Sequence, residues 1–256
     1  MSQQADYAER RKAFRTLHEQ GCFLLPNPWD VGGAVRLEHL GFRAIASSSS
    51  ACAHALGRMD YHITLEESLD HLRLLVGATR LPVNADFEDG FADEPERVAE
   101  HVQRAIATGI AGLSIEDRCG GALHEPRRAV ERVVAAKQAI LATGEDVLLV
   151  ARSETYLLGQ PEPKPVIERL VDFAAAGADC LYAPGVTDLR VIRDMVRAVA
   201  PKPLNVLLFT PHMAVAELAA AGVRRVSLGG ALASAAWRGF ESAARQFLEH
   251  GTLPPG

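Results

Sequence analysis

Short, almost continuous apolar runs alternate with longer amphipathic ones along most of the chain. The short runs are Cys22–Pro26, Ala44–Ser48, Pro82–Phe87, Gly112–Glu116, Val147–Arg152, Cys180–Ala183, Leu204–Phe209 and Arg225–Leu228. A parallel strand covered on both faces has no solvent side, so such runs predict buried parallel strands. The longer runs predict helices near Asp30–Leu40, Leu65–Ala78, Glu94–Thr108, Arg127–Ala142, Pro165–Ala176, Leu189–Ala198, Ala214–Ala221 and Ala231–Glu249. A Gly or Pro stands in the turn before each later strand, as at Gly41, Pro82, Gly109, Gly177 and Gly222, and a Gly just past a helix end supplies the left-handed cap that stops it. Eight β/α units without a long insertion predict a closed (β/α)8 barrel of the TIM type rather than a doubly wound sheet. The expected organisation is one domain over residues 1–256, with a C-terminal helical segment from about 231.

Size and charge agree with that architecture. The chain has 256 residues, and a barrel of this kind needs about 250. Its formal net charge of −5 argues against nucleic acid or an anionic membrane as a partner. No apolar run is long enough for a membrane span, and Met1–Arg15 contains no apolar core of a signal peptide. Cys22, Cys52, Cys119 and Cys180 are scattered and form no CxxC pair, so they are read as reduced thiols in a cytoplasmic protein.

The chemistry of such a barrel lies at the C-terminal ends of its strands. The third strand ends Asp86-Phe87-Glu88-Asp89-Gly90, the fourth Glu116-Asp117-Arg118 and the fifth Arg152-Ser153-Glu154. Carboxylates crowded on one rim repel unless a cation joins them. Asp86, Glu88 and Glu116 are therefore the candidate ligands. An all-oxygen set without a His/Cys cluster selects Mg²⁺, or Mn²⁺, over Zn²⁺. Arg152 is a fixed cation for a substrate carboxylate, or else a partner for Glu154 or Glu116. Ser48, Ser49 and Ser50 after the second strand offer neutral donors, or simply a polar turn, and Asn205 lies on the seventh strand. Asp30 is expected to cap the following helix and Asp89 to be a loop residue. No lysine stands at a strand end to form a Schiff base. His54, His62, His124 and His212 fall in predicted loops, and Cys119 is read as an inert thiol unless its loop closes.

Several segments together carry a family resemblance over about Phe23 to Ala236. They are Asn27-Pro28-Trp29-Asp30, the serine run with Leu56-Gly57-Arg58-Met59-Asp60, Asn84 through Phe91, Ile115-Glu116-Asp117, Ala151-Arg152-Ser153-Glu154 and Leu204-Asn205-Val206-Leu207. In these the chain resembles the isocitrate lyase / phosphoenolpyruvate mutase superfamily. The resemblance implies a barrel whose last helix is swapped between subunits of a homo-dimer or homo-tetramer. It implies Mg²⁺ on Asp86, with Glu88 and Glu116 around it, partly through water. It places the substrate loop at Ser48–Ser50, the substrate-binding arginine at Arg152, and a catalytic acid at Asp60. Glu88 stands where many members have Asp. The lyase loop Lys-Lys/Arg-Cys-Gly-His has only a partial echo here, Arg118-Cys119-Gly120, which makes Cys119 a second candidate for proton transfer. The gating loop of the mutases is absent.

The expected activity is metal-dependent C–C cleavage, or the reverse condensation, of a small 2-oxo or 2-hydroxy acid through a metal-stabilised enolate. Two alternatives stand beside it. One is P–C chemistry on a phosphonopyruvate-like acid, which needs a second strong cation, with Arg58 the candidate near the serine run. The other is a non-catalytic barrel that binds 2-oxo acids.

Overall fold

The computed structural model describes residues 3–160 and 162–254. Its main sheet has eight strands, all parallel: Phe23–Leu25, Ile45–Ala46, Val83–Asp86, Gly112–Glu116, Leu148–Arg152, Cys180–Tyr182, Leu204–Leu207 and Arg225–Ser227. In chain order they pair as 1-8-7-6-5-4-3-2. One bond, from Ala46 N to Pro26 O at 3.0 Å, spans the remaining seam between the first two strands. The result is a nearly closed TIM-type barrel wrapped by helices.

The strands are as apolar as expected because both faces are covered. Leu113, Ile115, Leu149, Ala151, Leu181 and Val206 pack outward in one continuous core with the helices. Between strands run the helices Val31–His39, Leu65–Ala78, Pro95–Ile106, Pro126–Thr143, Pro163–Ala175, Leu189–Val199 and Val215–Ala220. Their starts follow local chemistry. Asp30 caps the first through Gly33 N at 2.5 Å, and Thr64 and Glu67 form a capping box on the second. Proline occupies the first turn of three others.

Three elements differ from the sequence expectation. Residues Gln3–Glu19 form a helix that closes the bottom of the barrel. Arg11 is buried there and donates to Ile110 O and Ile106 O, and Phe14 plugs the opening. The serine run opens a short helix, Ser49–Ala55, so His54 lies on a helix and not in a loop. After the fourth strand, Arg118–Cys119 pairs antiparallel with Ala122–Leu123 as a small hairpin. The last helix, Ala231–His250, buries only Ala233 within the chain. No helix of the described residues is long and apolar enough to cross a membrane. All four cysteines are free.

Candidate active site at the barrel mouth

The fourth and fifth strands are in register with Glu116 opposite Arg152. The third and fourth pair Asp86 with Ser114. This ladder brings three strand ends to one rim and puts their charged side chains in contact. Arg152 donates through Nη1 to Asp86 Oδ1 at 3.1 Å, and its Nε lies 3.4 Å from Glu116 Oε2. The same Nε makes a short bond to Glu154 Oε1. The guanidinium also stands 5.5 Å from the centre of the Tyr182 ring. So Arg152 is locked by three carboxylates, and its planar fork has a fixed direction. Burial alone would lower its pKa, but Glu154, Glu116 and Asp86 raise it well above the usual value.

Asp86 is held from the other side by the serine run. Ser49 donates to Asp86 Oδ2 from its backbone N at 3.1 Å and from Oγ at 3.0 Å. Asp86 N donates to Ser47 Oγ at 2.8 Å. Ser48 caps the short helix through Ala51 N. Ser49 therefore reaches the acid cluster, Ser48 is structural, and Ser50 lies half-buried beside it.

Glu88 and Glu116 are buried, and one oxygen of each, Oε1, has no hydrogen-bond partner. Burial, with Asp86 and Asp60 nearby, pushes the Glu88 carboxyl up to about 8. Burial likewise holds Glu116 well above the carboxylate range, Arg152 opposing and Glu154 adding. Asp60 is raised by burial and by Asp86. Five carboxylates thus surround one partly buried arginine at the mouth. Two orphaned carboxylate oxygens in an all-oxygen environment fit a hard divalent cation. Asp86 already contacts Arg152 and Ser49, yet a carboxylate has about four acceptor sites and is not exhausted. On the Asp86 side, a pocket of about 40 Å³ is lined by Asn27, Ser47, Asp86, Ser114, Arg152 and Tyr182, and not by Glu88 or Glu116; one water needs roughly 10–15 Å³.

A wider cleft of about 570 Å³ opens beside it, lined by Asp60, Tyr61, Glu88, Phe91, Arg118 and Gly120. Tyr61, Glu88 and Phe91 have φ of 62°, 45° and 57°. Non-glycine residues avoid the left-handed region, so strain here is concentrated on the cleft wall. Tyr61 hydroxyl lies 3.4 Å from Glu154 Oε2, and the Arg118 guanidinium stacks on its ring at 3.9 Å. Tyr61 escaped the sequence analysis because nothing in the pattern around it marks a strand end, and Tyr182 because it reads as one more apolar residue of the sixth strand. Arg118 appeared there at the end of the fourth strand and in a loop echo, without a role of its own.

Two expected site residues are committed elsewhere. Asn205 lies in the barrel interior, where it accepts from Arg225 Nε at 2.9 Å and donates to Ser227 Oγ at 3.0 Å. Cys119 Sγ faces Asp93 Oδ1 at 3.7 Å. Its neighbours Arg118 and Gly120 line the cleft. Arg58, the candidate second cation of the P–C alternative, pairs with Glu67 at 2.7 Å, while Arg118 lies at the rim on the Tyr61 ring. Asp89 is a turn residue that accepts from Phe91 N at 2.8 Å.

Residues 14–248 match the family model described as phosphoenolpyruvate phosphomutase. The chain is 33% identical over 244 residues to an uncharacterized protein of Mycobacterium tuberculosis, covering 94% of this chain and 91% of that one. It is 32% identical over 235 residues to 2-methylisocitrate lyase of Escherichia coli, covering 83% and 75%. A solved structure from Burkholderia cenocepacia, provisionally called a lyase/mutase, superposes with a TM-score of 0.94 at 43% identity. That match covers 97% of this chain and 91% of the other.

Proposed function

This chain belongs to the phosphoenolpyruvate phosphomutase family, and from that premise we propose that it is a Mg²⁺-dependent carbon–carbon lyase acting on a small 2-oxo or 2-hydroxy diacid. The likeness to 2-methylisocitrate lyase supports C–C cleavage over a non-catalytic barrel. The observation that carries the assignment is Arg152 gripped by Asp86, Glu116 and Glu154 beside the unpartnered Oε1 atoms of Glu88 and Glu116.

Asp86, Glu88 and Glu116 would hold the ion, Mg²⁺ or Mn²⁺. When bound, it supplies Lewis-acid stabilisation of negative charge that builds beside the breaking bond. The chain's own groups do the rest. Arg152 receives one substrate carboxylate in a fork whose orientation is already set, so little freedom is lost on binding. Ser49, whose N–H and hydroxyl hold Asp86, fixes the acid at the same end, with Ser48 and Ser50 beside it. Arg118, stacked on Tyr61 at the rim, receives the far acidic group of a diacid. Asp60 moves the proton, because burial and Asp86 keep its carboxyl above the usual range. Cys119 is left out of the proton path, since its thiol is turned to Asp93.

A homo-oligomer completes the account. The last helix exposes Trp237, Phe240, Phe247 and Leu248, a patch that fits exchange of this helix with a second copy.

Product analysis tests the chemistry. With Mg²⁺ and a panel of 2-hydroxy and 2-oxo diacids, a 2-oxo acid and a second carbonyl or carboxylate product should appear. Inorganic phosphate released from phosphonopyruvate, with no C–C product from the panel, would establish the P–C alternative. Arg118→Ala should raise KM for diacids about tenfold or more, leaving kcat closer to wild type.

A further inference from the structure

A second cluster of potential ligands lies outside the carboxylate-lined mouth. Asp93, Cys119 and His124 each offer one ligand atom, and these atoms all lie within 4.8 Å of one another. They come from two different loops: Asp93 follows the third strand, Cys119 lies on the hairpin after the fourth, and His124 follows that hairpin. Both loops are pinned. Buried Arg132 donates to the backbone oxygens of Asp89, Ala92 and Asp93, the last at 2.8 Å. Arg169 Nη2 donates to His124 O at 2.8 Å, and His124 N donates to Asp117 O at 2.8 Å.

The ring of His124 supplies the independent observation. Its side chain is buried, with 7% of the residue exposed, and Nε2 has no hydrogen-bond partner. A buried imidazole nitrogen without a partner is costly unless something binds it. Burial, with Arg132 adding, lowers the His124 pKa, so the ring is neutral and able to ligate. The Cys119 thiol already points at Asp93 Oδ1, 3.7 Å away.

We propose that Asp93, Cys119 and His124 form a binding site for Zn²⁺ that shares no ligand with the carboxylate-lined mouth. One sulfur, one nitrogen and one oxygen suit a borderline-soft ion rather than Mg²⁺. Bonds of roughly 2.0–2.3 Å in a tetrahedron set ligand atoms about 3.5 Å apart. Small rotations of Asp93 and Cys119 close the cluster to that spacing, and a water completes the fourth position. Binding exchanges the Cys119 S–H bond for an S–Zn bond, and the proton leaves to solvent. Thiolate and carboxylate then carry two negative charges against the dication. Arg132 opposes a second cation, but its Nη1 and Nη2 donors are engaged by the three carbonyls. The ion clips the hairpin to the loop after the third strand, and so holds Arg118 and Gly120 on the cleft wall.

The test uses the full chain stripped of metal and titrated with Co²⁺ as a spectroscopic substitute, then with Zn²⁺ against a chelating dye. The proposal expects one site with a thiolate-to-cobalt charge-transfer band and release of about one proton. Cys119→Ser should remove the band, His124→Ala should weaken binding by about tenfold or more, and Asp86→Asn should leave both intact. Should a variant fail to fold, alkylation of the wild-type chain decides. Zn²⁺ should protect Cys119, identified by peptide mapping, more than Cys22. A band surviving Cys119→Ser, or equal alkylation of Cys119 with and without Zn²⁺, overturns the proposal.

Discussion

Arg152 Nη1 meets Asp86 Oδ1 at 3.1 Å across the mouth of the barrel, joining the end of the fifth strand to the end of the third. Glu116, on the strand between them, and Glu154 share the same guanidinium. A lysine would keep the charge but has no planar fork with which to serve three carboxylates and a substrate. Arg152→Lys should therefore lower kcat/KM by about 10²-fold or more. Steady-state kinetics on the reactive diacid checks this, with circular dichroism confirming the fold.

Gly112 opens the fourth strand where the N-terminal helix closes the barrel. A Cβ there would lie 2.7 Å from Phe14 Cε1, 2.9 Å from Asn84 Oδ1 and 3.2 Å from the backbone O of Leu148. Gly112→Ala should cost roughly 1–3 kcal/mol by overpacking, read as a lower urea midpoint. Unchanged stability would mean that the N-terminal helix is not seated on the barrel floor as described.

That floor marks the limit of what the sequence reveals. The eight apolar runs locate every barrel strand because burial on both faces leaves an unmistakable pattern. Gly112–Glu116 and Leu65–Ala78 have the expected bounds. The helix Gln3–Glu19 was not legible, because its buried face consists of Arg11, Phe14 and His18, two of them polar. The short helix Ser49–Ala55 hid behind serines that read as a turn. At the mouth, Asp86, Glu88, Glu116 and Arg152 were legible from strand ends alone. Tyr61 depends on a left-handed turn, and the roles of Tyr182 and Arg118 on ring contacts with arginine and tyrosine, none of which leaves a periodic trace. The Asp93–Cys119–His124 cluster joins two loops, so no local spacing announces it.

His18 predicts an acid limb in stability. Burial, with Arg225 adding, lowers its imidazole to about 3, and Phe14 and Phe23 pack against the ring at 4.7 Å and 4.8 Å. The unfolded chain takes up a proton as pH falls through about 6.5 while the native ring stays neutral. Above that pH the group contributes no slope. Below it, stability is lost progressively towards pH 3. His18→Phe should remove this share, on the order of 1–2 kcal/mol between pH 7 and pH 5. Urea unfolding of both proteins at the two pH values measures it, and identical pH slopes would show that His18 does not titrate as described.

The last helix predicts association. Trp237 and Phe240 stack edge to face at 6.1 Å on a surface that the chain itself leaves open. Wild-type protein should sediment as a dimer or tetramer. Phe240→Asp with Phe247→Asp should shift it towards monomer while the barrel's circular dichroism is kept. A wild-type monomer at micromolar concentration would remove the helix exchange from the account.

The central claim is that Asp86, Glu88 and Glu116 together hold one hard cation beside Arg152. Titration with Mn²⁺, followed by loss of the free ion's electron paramagnetic resonance signal, tests it without needing the substrate. The account predicts one bound ion per wild-type chain, competed by Mg²⁺, with binding weakened at least about tenfold in Asp86→Asn and in Glu88→Gln. Wild-type protein that binds no Mn²⁺, or an Asp86→Asn variant that binds it equally well, would contradict the account.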